Sequence, residues 1–201
     1  MIQRHVIIIT GKTGSGKSTL AKNVIQKCKR VFILDPMHEY PGTVVYTMEQ
    51  LFQYMERFKP DQFMICCRFE DDTDIEFFFR FVWHFPGSLI VVEEVDSYVN
   101  PRVEQTPFMR IIRRGRHRKL HILGIAQRTP QFSSTLRAQK TTFVSFAVDE
   151  PIDLDTLELY GFSRLELEQL TIENHQYALI GTPLNDIDFA VEKKKSVFVQ
   201  E

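Results

Sequence analysis

The chain has 201 residues, of which 43% are hydrophobic and 25% charged, and its formal net charge is −1. This length predicts one domain, residues 1–201, with enough apolar residues to bury a core. The composition excludes a disordered or a uniformly polybasic protein, and no stretch approaches the roughly 18 consecutive apolar residues of a membrane helix. Three cysteines without metal-binding spacing predict free thiols in a reducing compartment. We therefore expect a cytoplasmic protein that does not associate with membranes.

The first motif lies between an apolar run, residues 6–9, and a predicted helix. Residues 11–18 read Gly-Lys-Thr-Gly-Ser-Gly-Lys-Ser and fit the P-loop pattern G-x-x-x-x-G-K-[ST] in its strand–loop–helix context. Gly11, Gly14 and Gly16 allow backbone conformations that are closed to other residues and let the chain approach phosphate oxygens. The exposed N–H groups and the dipole of the following helix favour anions. The motif predicts binding of a nucleoside triphosphate.

Two side chains of this loop have predicted chemical roles. Lys17 is expected to reach the β- and γ-phosphates, and the Ser18 hydroxyl is expected to bind Mg²⁺. The other residues of the nucleotide-binding loop, which serve its geometry rather than its chemistry, are Lys12, Thr13, Ser15 and Thr19.

Further apolar runs predict strands, and helical spacing predicts helices between them. The predicted strands cover residues 31–34, 43–46, 63–67, 89–92, 121–126, 143–148, 177–181 and 189–191. The predicted helices cover residues 51–58, 75–83, 154–160 and 163–170. Strands that alternate with helices indicate an α/β fold with a mainly parallel central sheet flanked by helices. Asp35 follows the second strand, at the carboxyl end, where ligands bind in such sheets.

The strand over residues 89–92 ends in two adjacent acids, which has the form of a Walker B element. Glu93 is predicted to hold Mg²⁺, and Glu94 to orient and deprotonate the attacking water. Adjacent residues of a strand point to opposite faces, so the two acids need different roles. Gln127 ends the strand over residues 121–126, where the additional-strand, RecA-like class of P-loop NTPases has a polar sensor of the γ-phosphate. The alternative is a pair of solvated acids at a strand end.

A basic segment follows. Six of the ten residues from 110 to 119 are Arg or Lys, whereas the rest of the chain is net acidic. Arg113, Arg114 and Arg116 are candidates for an arginine finger that reaches the γ-phosphate of a neighbouring subunit. The alternatives are a surface that follows a nucleic-acid backbone and a solvated helix face.

The order of these motifs resembles the FtsK–HerA superfamily of DNA-pumping ATPases, and most of all its compact viral genome-packaging ATPases. The resemblance spans residues 6–181 and rests on five stretches: residues 11–19, 34–40, 91–94, 114–117 and 126–130. Gly-Arg-His at 115–117 and Gln-Arg-Thr-Pro at 127–130 are the stretches that point to this branch.

This resemblance implies a ring, a hexamer or pentamer, that hydrolyses ATP with Mg²⁺ at subunit interfaces and pumps double-stranded DNA. A capsid or portal component is a further implied partner. By motif match, Lys17 and Ser18 take the phosphate and magnesium roles, Glu94 the base role and Gln127 the sensor role.

Two other function classes remain open at this point. A small-molecule or nucleotide kinase of the P-loop class could use the basic segment as a lid, although the paired acids are suited to activating water. A nucleotide-dependent switch or scaffold is the third class, and the sequence lacks the Asn-Lys-x-Asp signature of guanine-specific switches.

Overall fold

The computed structural model describes residues 4–59, 61–99, 106–129 and 134–189. The strands are β1 (Val6–Thr10), β2 (Arg30–Leu34), β3 (Thr43–Val45), β4 (Phe63–Cys67), β5 (Leu89–Val92), β6 (His121–Ala126), β7 (Thr142–Ser145) and β8 (Ala178–Gly181). The α-helices are α1 (Lys17–Ile25), α2 (Met48–Phe58), α3 (Asp72–Val82), α4 (Val95–Tyr98), α5 (Pro107–Arg114), α6 (Ser134–Gln139), α7 (Pro151–Leu159) and α8 (Arg164–Glu168). Two 3₁₀ turns, Gly115–Arg118 and Leu184–Asp186, complete the described elements. None of the helices in these ranges is both long and apolar enough to cross a membrane.

The described strands form one sheet in the order β3-β4-β2-β5-β6-β1-β7-β8. Neighbouring strands of this sheet run parallel, except that β8 is antiparallel to β7. Strand β6 lies between β1, which leads into the P-loop, and β5, which leads into the paired acids. This is the additional strand that the sequence predicted. Because β1, β6 and β5 are parallel, their carboxyl ends meet at one edge of the sheet, the carboxyl edge.

The core lies on both faces of the sheet. Within β1, Val6 packs into the cluster beneath α2, α3 and α5, whereas Ile7 packs into the cluster beneath α1. The neighbouring thiols also lie on opposite faces: Cys67 is buried in the first cluster and Cys66 in the second. A strand covered on both faces needs apolar side chains at successive positions. That requirement explains the continuous apolar runs in the sequence.

Two predicted strands differ from the structure. The strand predicted over 143–148 ends at Ser145, because its partner β1 ends opposite it, at Thr10, where the chain turns into the P-loop. In the strand predicted over 189–191, Phe189 lies in an irregular stretch, and residues 190 and 191 lie outside the described residues.

Arg4, near the beginning of the chain, binds the end of α5 through hydrogen bonds. The Arg4 guanidinium donates three hydrogen bonds of 2.8–2.9 Å to backbone carbonyls, those of Ile111, Ile112 and Leu120. Burial, together with the positive charge of Arg116, lowers the pKa of Arg4 to about 10. These carbonyls belong to the end of α5 and to the residue before β6, so Arg4 fixes the basic segment at the amino edge of the sheet.

Candidate active site

A cleft of about 300 Å³ opens at the carboxyl edge of the sheet. The P-loop forms one wall, and the residues that follow β5 and β6 form the other. The predicted side chains that it brings together are Lys17, Ser18, Thr19, Glu93, Glu94 and Gln127. Of the remaining loop residues, Thr13, Gly14 and Gly16 also line the cleft.

The loop backbone has the conformation that its glycines predict. Gly11, Gly14 and Gly16 have φ angles of 141°, 80° and 107°, in the region that favours glycine. A Cβ at Gly11 would lie 2.7 Å from the Cβ of Phe146, so the loop packs directly on the chain after β7. The Ser15 hydroxyl is buried without a hydrogen-bond partner among the described residues. A buried hydroxyl without a partner, in a loop that leads into a helix N-terminus, is available to donate a hydrogen bond to an anion.

The Lys17 amino group is held inside the loop. Its Nζ donates to the carbonyl oxygens of Gly11 and Lys12, at 2.7 and 2.8 Å. Burial lowers the pKa of Lys17, and the nearby carboxylates of Glu93 and Glu39 oppose that shift. Phosphate oxygens are stronger acceptors than neutral carbonyls, so a bound phosphate would compete for this ammonium group.

Glu93 is a buried acid with a specific donor. Its side chain accepts a hydrogen bond from the Tyr40 hydroxyl, which is also buried. Burial raises the pKa of Glu93, and the hydrogen bond from Tyr40 opposes that shift. Burial and the adjacent Glu93 charge raise the pKa of Tyr40, so the proton of this pair stays on the phenol. Tyr40 therefore orients the Glu93 carboxylate.

Glu94 does not continue the strand. β5 ends at Val92, and Glu94 takes a left-handed conformation, φ 49°, immediately before α4. Strand alternation therefore does not apply to the paired acids, and the expectation that they point to opposite faces is wrong: Glu93 and Glu94 both line the cleft. Behind Glu94, the side chain of Val95 covers Gly124 of β6, where a Cβ would lie 3.0 Å from Val95 Cγ1. Helix α4 thus rests directly on the additional strand.

The loop after β2 supplies an acid that sequence reasoning missed. Glu39 lines the cleft, whereas Asp35, which the sequence placed at a ligand-binding position, is fully buried beneath it. Asp35 accepts a 3.0 Å hydrogen bond from Arg68 Nε and a 2.8 Å bond from the Glu39 N–H. Its role is to hold the loop that carries Glu39 and Tyr40. Both residues stand in the motif over 34–40, but only the tertiary structure connects them to the acids.

Gln127 lies at the exit of β6. It is exposed and lines the cleft, and the two residues after it are anchored to α7. Arg128 Nε lies 2.9 Å from a carboxylate oxygen of the buried Asp153, and the Thr129 N–H donates to the other oxygen at 2.9 Å. The position of Gln127 is therefore fixed on both sides, by the strand and by this ion pair.

The candidate finger arginines lie away from the cleft of their own chain. Arg113 and Arg114 are exposed on α5, and Arg116 is exposed in the 3₁₀ turn before β6. β6 spans six residues, so this turn lies about 20 Å from the carboxyl edge. Arg113 and Arg114 line a separate groove of about 370 Å³ beside Trp83. The Arg110 guanidinium covers the Trp83 ring, 4.4 Å from its centroid.

The donor set fits a magnesium-bound nucleotide. No three His, Cys, Asp or Glu side chains within the described ranges form a metal-binding cluster. Mg²⁺ in nucleotide sites is held by one or two protein oxygens together with phosphates and water. The Ser18 hydroxyl and the Glu93 carboxylate, on opposite walls of the cleft, match that requirement.

Comparison with known proteins agrees with this architecture. Residues 1–81 match the family model described as the central domain of the helicase HerA. The fold is similar to that of the genome packaging NTPase B204 from Sulfolobus turreted icosahedral virus 2 in complex with AMPPCP, with a TM-score of 0.65 and 16% identity over 89% of this chain and 98% of B204. It is also similar to VirB4 of Thermoanaerobacter pseudethanolicus, with a TM-score of 0.58 and 14% identity over 88% of each chain. A search of curated proteins gave no significant match.

These findings bear on two predictions from the sequence. The fold is that of a P-loop NTPase with an additional strand and a mainly parallel sheet. The predicted resemblance to the FtsK–HerA superfamily agrees with the HerA family model over residues 1–81, and the fold is similar to that of a viral genome packaging NTPase.

Proposed function

We propose that this chain, a P-loop ATPase of the FtsK–HerA type, couples Mg²⁺-dependent ATP hydrolysis to the pumping of double-stranded DNA, as the genome-packaging motor of a virus. The observation that carries the proposal is the convergence of Lys17, Glu94 and Gln127 on one cleft. Two relatives support it. B204 of Sulfolobus turreted icosahedral virus is described as the DNA-packaging ATPase, and the genome packaging NTPase B204 of Sulfolobus turreted icosahedral virus 2 has been seen with ATP-gammaS and with AMP.

Each polar residue of the cleft has its own role in the proposed hydrolysis of ATP. Lys17 binds the phosphates, and the oxygens of Ser18 and Glu93 would hold Mg²⁺, which when bound supplies Lewis-acid polarisation of phosphate oxygens. Glu94, half-buried at the rim, accepts the proton of the attacking water. Gln127 positions that water, because its amide offers both a donor and an acceptor. Tyr40 holds Glu93 in place throughout.

The cleft supports a site that is completed by a second subunit. Among the described residues that line it, Lys17 is the only lysine or arginine. The exposed arginines at 113, 114 and 116 lie at the other edge of their own chain. In a ring, one of them would reach the neighbour's γ-phosphate, an effect worth roughly 10³–10⁵ in rate in other P-loop enzymes. We propose a hexamer or pentamer on this basis, docked on a capsid or portal component.

The groove beside Trp83 is suited to binding the double-stranded DNA that the protein is proposed to pump. The groove is lined by an aromatic ring and by three arginines, Arg110, Arg113 and Arg114. Arginine side chains of this kind contact the phosphates of a nucleic-acid backbone.

The kinase alternative is less well supported. A kinase lid must close over the phosphates bound by its own chain, and this basic segment lies at the opposite edge of the sheet.

The test is ATP hydrolysis by the purified oligomer with and without duplex DNA, with the oligomeric state measured in the same buffer. We expect duplex DNA to stimulate hydrolysis, and Glu94→Gln to abolish it while nucleotide binding survives. Glu70→Gln, which changes an exposed acid outside the cleft, is the matched control and should behave like the parent. DNA affinity should fall by roughly 0.9 log units per phosphate contact for each tenfold rise in salt. Hydrolysis that responds neither to DNA nor to Glu94→Gln would refute the proposal.

A further inference from the structure

A second pocket, of about 260 Å³, adjoins the cleft along α1. It shares Gly16, Thr19 and His175 with the cleft, so the two spaces lie side by side. Its other walls are Leu20, Asn23, Phe146 and Tyr177. No acidic side chain lines it among the described residues, in contrast to the cleft.

The antiparallel strand explains why aromatic rings meet here. Phe146 follows β7, and Tyr177 precedes β8. Because β8 runs against β7, with Ala178 opposite Ser145, the start of β8 lies at the carboxyl edge beside the P-loop. The two ring centroids are 5.4 Å apart and the rings are inclined at 56°. Phe146 is buried, whereas Tyr177 is 41% exposed, so one ring supports the other and leaves it open to a ligand.

The segment before Tyr177 is fixed against the P-loop. The His175 ring nitrogen Nδ1 lies 3.2 Å from the Ser15 carbonyl oxygen, and His175 has a left-handed φ of 49°. Asn174 stabilises this turn, because its Oδ1 accepts hydrogen bonds from the N–H groups of Thr171 and Gln176, at 3.3 and 3.0 Å. The aromatic wall therefore keeps a defined position relative to the phosphate-binding loop.

We propose that this pocket is the base subsite, which takes the adenine of a nucleotide whose phosphates lie in the P-loop cleft. The inference rests on the proposed function. An aromatic face that is partly exposed stacks on the flat face of a base. The Asn23 amide offers a donor and an acceptor side by side, which complements the amino group and ring nitrogen of adenine. Guanine presents two acceptors at the same edge and calls for Arg or Lys, and neither lines this pocket among the described residues.

The experiment separates the base from the phosphates. The affinities of ATP and of inorganic triphosphate, each with Mg²⁺, are measured by calorimetry for the parent, Tyr177→Ala and Tyr177→Phe. We expect Tyr177→Ala to weaken ATP about tenfold and to leave triphosphate within about twofold, with Tyr177→Phe close to the parent. Phe77→Ala, which truncates a ring that is 54% exposed on α3, is the control and should change neither affinity. Asn23→Ala should lower the preference for ATP over GTP about tenfold.

Each other outcome overturns the assignment. Equal weakening of ATP and triphosphate by Tyr177→Ala would mean that the ring only supports the P-loop. Unchanged ATP affinity in Tyr177→Ala would place the base elsewhere. A parent that binds triphosphate as tightly as ATP would refute the subsite while leaving the P-loop assignment intact, whereas a parent that binds neither would refute the proposed function itself.

Discussion

Acid is expected to destabilise this protein through a buried histidine at the amino edge of the sheet. His121 stacks on His5, with ring centroids 5.5 Å apart, and its Nδ1 accepts a 3.1 Å hydrogen bond from the His5 N–H. Burial, with smaller contributions from the charges of His5 and Arg4, lowers the pKa of His121 from 6.5 to about 4, and Asp188 opposes the shift. The folded protein therefore holds this imidazole neutral.

The size and sign of the effect follow from that shift. The pKa of His121 is lower in the folded protein than in the unfolded chain. Between pH 6.5 and about 4, His121 is therefore protonated in more of the unfolded molecules than of the folded ones. Stability is thus unaffected by this group above pH 6.5 and is lost progressively as the pH falls towards 4. At about 1.36 kcal/mol per pKa unit, the complete loss is about 3 kcal/mol, a large part of the stability of a typical domain.

The assay is urea unfolding at several pH values between 7.5 and 4. His121→Asn removes the titrating ring but keeps an oxygen that can accept the His5 N–H. We expect the free energy of unfolding of the parent to fall by about 1.4 kcal/mol per pH unit more than that of His121→Asn below pH 6. His84→Gln, a change at an exposed histidine, is the control and should follow the parent. Equal pH slopes for the parent and His121→Asn would refute the reasoning, whatever the absolute stability of the variant.

Three further substitutions test the site and its supports. Gly11→Ala should lower nucleotide affinity more than about tenfold in calorimetry, because φ is 141° and the new Cβ would meet Phe146 at 2.7 Å; parental affinity would contradict the packing. Arg4→Met should lower the free energy of unfolding in urea by about 3 kcal/mol, since three backbone carbonyls lose a charged donor; a loss below about 0.5 kcal/mol would contradict this. Tyr40→Phe should raise the pKa of Glu93 further, because the carboxylate loses its hydroxyl donor. An NMR titration of labelled Glu side chains measures that shift, and an unchanged pKa would show that the hydrogen bond does not hold the charge.

The local motifs were predictable because local geometry imposes them. The P-loop needs glycine where φ is positive, and strands buried on both faces need continuous apolar runs, so both are visible in short windows of sequence. Strand β6 was predictable for the same reason, from the mostly apolar residues of the stretch 121–126. The polar ends of β5 and β6 then located the cleft, because parallel strands end at a common edge.

The supporting contacts were not predictable, because they join distant parts of the chain. Arg4 contacts carbonyls 107 to 116 residues away, and Tyr40 reaches Glu93 across 53 residues. Nothing in a short window distinguishes Asp35, which is buried under an arginine, from an acid that faces a ligand. Tyr177 was equally hidden, since its position beside the P-loop depends on the antiparallel direction of β8.

The contact between Gly124 and Val95 has a mechanical consequence. Helix α4 rests on the backbone of β6 with no Gly124 side chain between them to absorb movement. Gln127 lies three residues further along the chain, just beyond the end of β6, and Glu94 immediately precedes α4. A displacement of the end of β6 would therefore act directly on α4 and on Glu94. In the proposed mechanism, the residue that positions the attacking water and the residue that accepts its proton would therefore be coupled through one direct contact between a glycine and a valine.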